Sequence, residues 1–423
     1  MRKGIYRATA VKALDWNRLV SQLDGIDRLS VGIDVAKKVM FAALMTPGGE
    51  VLAVLKWTHL EESRWVTRQL AALPVPVEIA MEPSGTYGDT LRYCLEQAGL
   101  PVFRVAPKHV RDSREIYDAV PSNHDAKASS ILAWLHLQQR SQRWPESEDL
   151  RRALGSFHDV LHLHSKALRH ALNQLEALLA RYWPELSQLL ELDSATLLEL
   201  VATFGSPARV ARHGRQAWEL MERVGGIGLK ATKIDQVLAS AGRSLGVPML
   251  EEEVEALQQV ATEARRLQQA VRETQNRLRR LAVQDASVRD VGAVVGLVTS
   301  SVLYSELGPL QAYPNAGCLL KAAGMNLTEL SSGQRRGQRR LSKRGSGRAR
   351  QYLFLAVLRW LHRDPWARAW HAAKVLRDGG NCKLKSVVAL MRKLLQGLWW
   401  VARGEEFDSR KLFDIHRLEP TEA

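Results

Sequence analysis

Apolar and polar positions divide the chain into stretches of different period. Over residues 1–28, Val11, Leu14, Trp16, Leu19, Val20 and Leu23 fall roughly on one helical face. This predicts a partly helical extension that packs onto the main body. From Leu29 the pattern becomes strand-like: one strand ends near Asp34, a second is Val39–Met45, and Thr46-Pro47-Gly48-Gly49 turns into a third at Val51–Trp57. A helix over about Glu61–Leu73 is closed by Pro74. Val77–Met81 is a short buried-type strand, about Leu91–Ala98 a helix stopped by Gly99, and Pro101–Val105 another strand. A loop, Tyr117–His124, enters a helix running from Asp125 to about Gln139.

The middle of the chain, roughly 145–285, is patterned for helix packing. Leu154, Phe157, Leu161, Leu168, Leu175 and Leu178 follow a 3–4 spacing, with His164 and Ala171 in the remaining slots. Leu257, Val260, Ala264, Leu267, Val271, Leu278 and Leu281 do the same. Two such helices separated by Pro184–Pro248 predict an antiparallel coiled coil with an inserted subdomain. In the last third, Asp290-Val291-Gly292 leads into a helix at Val294–Leu307 ended by Gly308. Leu319–Gly324 and Met325–Gly333 follow, then a helix from Arg348, and Lys385–Val401 reads as an amphipathic helix that closes the domain.

Composition narrows the partners. A chain of 423 residues is long enough for two or three domains with their own cores. Its net charge is +15 and its pI near 9.9, which points to an anionic polymer. Cys94, Cys318 and Cys382 lie far apart without a CxxC pair, against disulfides and structural zinc. No apolar run reaches the roughly 18–20 residues of a membrane span. Met1-Arg2-Lys3-Gly4 is basic without an apolar core behind it, so a cytoplasmic, reduced setting is expected.

Three acids stand where chemistry is often placed. Asp34 sits in Leu29–Lys37, a strand-like run that breaks just after it, and strand interiors are depleted in Asp. Glu82 ends the strand Val77–Met81 and runs into Pro83-Ser84-Gly85-Thr86, at a carboxyl edge where α/β sheets carry their sites. Asp125 opens a helix, where it serves either as an N-cap or as a functional acid. His158 and His162, four apart, have the spacing of a metal pair but no third ligand nearby, so a structural role is favoured. Val224-Gly225-Gly226-Ile227-Gly228-Leu229-Lys230 is a glycine hairpin between helices; such hairpins offer backbone N–H groups to phosphate, and tight helix–helix turns use the same residues. From Gln334 to Arg350 the chain has eight basic residues and no acid: Arg335, Arg336, Arg339, Arg340, Lys343, Arg344, Arg348 and Arg350. A solvated face usually mixes signs, so this one-sign run with interspersed glycine is expected to track a phosphate backbone.

The order of strands and helices up to residue 139, with acids at the first strand, the fourth strand and the last helix, is the layout of a ribonuclease H-like fold. At these residues the chain resembles the transposases of the IS110 group of insertion sequences. The resemblance is carried by Val31–Lys37 with Asp34, Ala80–Gly88 with Glu82, and Asn123–Ala128 with Asp125. It continues in Ser331-Ser332-Gly333, Arg339–Gly345 and Arg348–Leu358. It implies a RuvC-like domain holding Mg2+ (or Mn2+) through Asp34, Glu82 and Asp125. It makes Ser332, rather than Ser331, the nucleophile that joins to DNA. A structured guide RNA and a homo-oligomer, a dimer or tetramer with a composite site, are also implied. Where the family places a second helical Asp, three residues after Asp125, this chain has Ala128. A decayed copy, an inactivating substitution and a site completed by another acid such as Asp118 all remain open.

The expected organisation is an N-terminal extension at 1–28 and an α/β ribonuclease H-like (RuvC-like) domain at 29–145. A helical coiled-coil region with an inserted hairpin would occupy 146–285, and a mainly α C-terminal domain with the serine and the basic run 286–423. The expected function is a DNA transposase or recombinase of an insertion sequence. It would be prokaryotic, nucleoid-associated, without a membrane partner and guided by RNA. Two alternatives stand beside it: a metal-dependent junction-resolving nuclease in which Ser332 is irrelevant, and a nucleic-acid-binding protein impaired by Ala128.

Overall fold

A computed structural model describes residues 6–83, 85–145, 148–332, 335–414 and 418; the side chains of 330–338 lie outside that description. The chain forms two compact units, residues 1–146 and 147–423.

The first unit is built on a sheet in the order β1-β4-β3-β2-β5-β6-β7. Its strands are β1 (Thr9–Ala10), β2 (Leu29–Asp34), β3 (Val39–Met45), β4 (Val51–Thr58), β5 (Val77–Met81), β6 (Val102–Val105) and β7 (Ser141–Arg143). The meander β2-β3-β4 is antiparallel, whereas β5 pairs parallel to β2 and β6 parallel to β5. The helices are α1 (Trp16–Ser21), α2 (Ser63–Ala71), α3 (Asp89–Gln97), α4 (Pro107–Asp112), α5 (Arg114–Asp118) and α6 (Asp125–Leu137). Alternation along β2 sends Leu29, Val31 and Ile33 into a core shared with Val66 and Leu70 of α2 and Leu91 and Leu95 of α3. On the other face Ala80 and Val105 pack against Ile131, Leu132 and Leu135 of α6.

Several elements differ from the sequence-based expectation. The N-terminal extension contributes an edge strand, with Thr9 and Ala10 opposite Leu55 and Lys56. Val11 and Leu23, on either side of α1, and Leu19 within it enter the core while Val20 stays exposed, because consecutive helical residues point about 100° apart. The stretch before α6 holds two short helices, α4 and α5, separated at Ser113, and α5 takes the first two residues of the loop expected at Tyr117–His124.

The second unit is helical apart from one hairpin. Helix α7 (Asp149–Tyr182) leads to α8 (Leu186–Leu189), α9 (Ala195–Phe204), α10 (Pro207–Arg212), α11 (Gly214–Gly225) and α12 (Ala231–Gly242), and α13 (Glu251–Ala282) returns along α7. Leu154 and Leu161 share a core with Leu278 and Ala282, while Leu175 and Leu179 share one with Leu257, Ala261 and Ala264. Early residues of one helix thus meet late residues of the other, which makes the pair antiparallel. The remaining elements are α14 (Ala286–Val295), α15 (Leu297–Leu307), α16 (Ala316–Ala322), β8 (Leu327–Ser332), β9 (Arg335–Leu341), α17 (Gly347–Arg363), α18 (Pro365–Arg377) and α19 (Lys383–Val401). Gly296, at φ +89°, breaks the helix expected at Val294–Leu307: α14 ends at Val295 and α15 begins at Leu297. Leu303, Leu353, Leu390, Leu394 and Leu398 centre the core of this last bundle.

Candidate active site and basic ribbon

The acids of the first unit are placed by one close packing contact. Ser30 donates its hydroxyl to the Ala133 carbonyl at 3.0 Å. Two residues on, a Cβ at Gly32 would lie 2.1 Å from the Ser129 carbonyl oxygen and 2.3 Å from the Ala133 amide. Strand and helix therefore run against each other in opposite directions. Four strand residues at about 3.3 Å each cover about the same length as eight helical residues at about 1.5 Å. The step that leads from Ser30 to Asp34 thus leads from Ala133 back to Asp125. The register of β5, with Gly32 opposite Ala80 and Ile33 opposite Met81, puts Glu82 beside Asp34 at the same sheet edge.

Electrostatics agree with this placement. Burial, then the charges of Asp125 and Glu82, push the Asp34 carboxyl up to about 6, against the backbone N–H of Val35 and the Arg114 guanidinium. Burial also raises Glu82, while Arg114 and Arg111 pull it down. Asp125 proves to be the first helical residue and not the cap. His124 is the N-cap, its ring accepting from the Lys127 amide at 3.2 Å. The Asp125 side chain is exposed, with no hydrogen bond or ion pair among the described residues, so capping does not consume its carboxylate.

Asp118 is engaged elsewhere. It accepts from Tyr6 Oη at 2.5 Å, from the Val120 amide at 3.0 Å and from Lys127 Nζ at 2.7 Å. Lys127 is completely buried and also donates to the Val120 carbonyl. A carboxylate held this way anchors the segment ahead of α6 and is poorly placed to complete a metal site. Ala128 lies half-buried one turn beyond Asp125, which leaves Asp34, Glu82 and Asp125 as the converging acids. Among the described residues no three His, Cys, Asp or Glu side chains close to metal-ligating distances. The donor chemistry nevertheless fits a hard divalent cation: only carboxylate oxygens, with an excess of negative charge that Arg114 offsets only in part. Arg111 and Arg114 were missed at the sequence level, where their i, i+3 spacing after Pro107 was the available signal.

Ser332 and the first four basic residues lie on the β8–β9 hairpin of the second unit, where Ser332 pairs with Arg335 in backbone register; the rest of the basic run follows it into α17. The side chains of Ser332, Arg335 and Arg336 fall outside the described residues. Arg339 reaches across the strands to Glu329 at 3.2 Å. Arg348 pairs with Asp159 and with Glu306, and Arg350 donates to the carbonyls of Ala323 and Gly345, both at 3.0 Å. The last two arginines therefore brace the fold around α17, while Lys343 and Arg344 stay on the open side. His158 is buried against Tyr352, and burial holds its imidazole below the ordinary value; His162 is exposed. Among the described residues that pair gathers no metal-binding group.

Among the described residues no helix is long and apolar enough to cross a membrane. No curated protein matches the chain. Two transposase family models do: the DEDD transposase model of the IS110 group over residues 31–184, and that of the transposase IS116/IS110/IS902 family over residues 293–372. Between them they span the acidic edge of the first unit and the serine-bearing, basic portion of the second, and the chain belongs to the IS110 family of transposases, which act on DNA.

Proposed function

We propose that this transposase cleaves and exchanges DNA strands with two sets of groups: Asp34, Glu82 and Asp125, which would hold a divalent cation, and Ser332, which would form a covalent link to DNA. The observation that carries the acidic half is the electrostatic convergence at one sheet edge, where Asp34 is pushed up to about 6 by burial and by the charges of Asp125 and Glu82. Carboxylates whose charges raise one another, offset only in part by Arg111 and Arg114, favour a bound metal. A bound Mg2+ or Mn2+ would supply Lewis-acid polarisation of a phosphoryl oxygen. The role of the chain is to aim three carboxylates at one place, while Arg111 and Arg114 limit their mutual repulsion.

For Ser332, the support is the family resemblance and its backbone position at the turn end of a hairpin rich in arginine. A serine hydroxyl is a weak nucleophile until a base or surrounding positive charge activates it. Attack of its oxygen on phosphorus would form a phosphoserine ester and break one P–O bond, releasing the strand-end hydroxyl. The number of phosphate ester bonds is conserved, so rejoining needs no external energy. Guidance by a structured RNA, and a homo-oligomer that assembles the reaction, belong to the same reading and rest on the resemblance alone.

The test is incubation of the full chain with end-labelled DNA carrying the ends of its element, followed by denaturing electrophoresis. Ser332→Ala should abolish a covalent protein–DNA adduct and change affinity less than twofold. Asp34→Asn should suppress strand cleavage. Metal-dependent cleavage with no adduct in the wild-type chain would select the junction-nuclease alternative.

A further inference from the structure

The insert between α7 and α13 lies outside both matched regions, and its glycine hairpin has a composition the fold alone does not require. Gly226 has φ +53° and ψ −149°, a conformation only glycine adopts readily. Gly225 is needed for space, since a Cβ there would lie 2.5 Å from the Leu229 Cβ. Gly228 meets neither demand: its φ is not positive, and an added Cβ would find nothing within 4 Å. Ile227, between them, is fully exposed and packs on nothing. A turn that only joined α11 to α12 would need neither a bare backbone at 228 nor an apolar tip at 227.

The charges around the hairpin point the same way. Its end of α11 borders a groove of about 760 Å³ against α13. Arg265 and Arg266 in that groove are paired with Glu199 and Glu263. The side chains of Arg223 and Arg272 in the groove, and of Lys230 and Lys233 beyond the hairpin, have no ion pair or hydrogen bond among the described residues; Glu222, Asp235 and Glu273 are the acids beside them. The first turn of α12 has no acidic residue, and its N-cap, Lys230, supplies no side-chain acceptor. Unpaired cations around an exposed glycine backbone suit a ligand with spaced anionic oxygens approached at close range, and the apolar tip suits the sugar edge between them.

We propose that the hairpin Gly225–Lys230 and its bordering groove form a second DNA-backbone grip, separate from the β8–β9 ribbon. It takes the phosphates of duplex DNA, with Arg223, Lys230, Lys233 and Arg272 as the cations. The proposal rests on the reading of this chain as a DNA-acting transposase, and the experiment separates the two.

Binding of the full chain to a fluorescent mixed-sequence 40-base-pair duplex is followed by anisotropy between 100 and 300 mM KCl in EDTA. Arg223→Ala/Lys230→Ala/Lys233→Ala should weaken binding at least tenfold at 150 mM and reduce the slope of log K against log salt by about 2–3, at about 0.9 for each phosphate no longer neutralised. Gly228→Leu should weaken binding about fivefold with an unchanged melting temperature. Arg243→Ala serves as control, because it lies past the far end of α12, about 18 Å away along twelve helical residues. A photo-crosslinking amino acid at Ile227 should capture the duplex, and the same group at exposed Leu245 should not. A wild-type chain that fails to bind the duplex overturns the DNA reading and this grip together. A wild-type chain that binds, with hairpin variants matching the Arg243 control in affinity and slope, overturns the grip alone. Preferential crosslinking of a structured RNA over the duplex at position 227 overturns its assignment to DNA.

Discussion

At the scale of single residues the site depends on uncompensated charge. Asp34 is held up to about 6, so between its ordinary value of 3.8 and that point the native state carries more of a proton than the unfolded chain. Stability therefore falls as pH rises through this window, and Asp34→Asn, which imitates the protonated form, should remove that loss. In EDTA the stability of the Asn variant relative to wild type is expected to grow by about 2 kcal/mol between pH 4 and pH 7, measured by urea midpoints. Added Mg2+ should erase the difference in favour of the wild type. The same logic governs Ala128, one turn beyond Asp125 on the same face. Ala128→Asp adds a carboxylate that its neighbours repel in the metal-free protein, so apo stability should drop slightly. With a cation present the sign reverses, and divalent affinity should rise roughly tenfold, about 1.4 kcal/mol. A metal titration alongside a cleavage assay checks this; equal affinity in both forms would mean that no fourth carboxylate is needed at 128.

At the scale of elements, the contact between β2 and α6 decides whether these charges meet. Gly32 is the residue that lets the helix lie directly on the strand, because the atoms a Cβ would strike are backbone and cannot swing aside. Gly32→Ala should cost about 3 kcal/mol or more and separate Asp34 from Asp125. Urea denaturation of the full chain measures the first effect, and weakened Mg2+ binding the second. Gly48→Ala is the control, in a turn where a Cβ would meet only the Thr46 hydroxyl at 3.8 Å. The buried Lys127–Asp118 pair fixes the other approach to α6, with Tyr6 bringing the N-terminal segment into the same network. In the second unit, the hairpin β8–β9 presents its basic residues on strands, where successive side chains alternate between two faces. The run that looks uniform in sequence is divided by element: Arg348 and Arg350 on α17 brace the fold, while Lys343 and Arg344, between β9 and α17, are exposed.

At the scale of the whole molecule, a net charge of +15 makes association with nucleic acid an electrostatic event first. Each phosphate neutralised releases condensed counterions, so affinity for a duplex should fall roughly a thousandfold or more between 50 and 200 mM salt if six or more phosphates are neutralised. Filter binding across that range is sufficient, and an affinity that stays flat would count against a phosphate-dominated interface. The antiparallel α7–α13 pair gives the second unit its length, with the 186–242 helices cored around Leu197, Leu200 and Val201 at one end. The bundle around Leu353 and Leu394 forms a separate core within the same unit.

Strand and helix periods, the meander, the two long leucine-spaced helices and the acids at element ends could all be read from the chain, because each is a local pattern within one element. Asp34, Glu82 and Asp125 were visible for that reason, as residues out of character with their surroundings. Their convergence was expected through the family resemblance, but no local pattern in the chain shows it. It depends on the parallel register of β2 with β5 and on a glycine whose importance appears only when Ser129 and Ala133 lie over it. The cap at His124, the capture of Asp118 by Lys127 and the bracing roles of Arg348 and Arg350 were hidden in the same way. Sequence spacing records which residues share a face of one element, whereas desolvation, charge pairing and steric fit arise between elements distant in the chain, and only the folded backbone sets those distances.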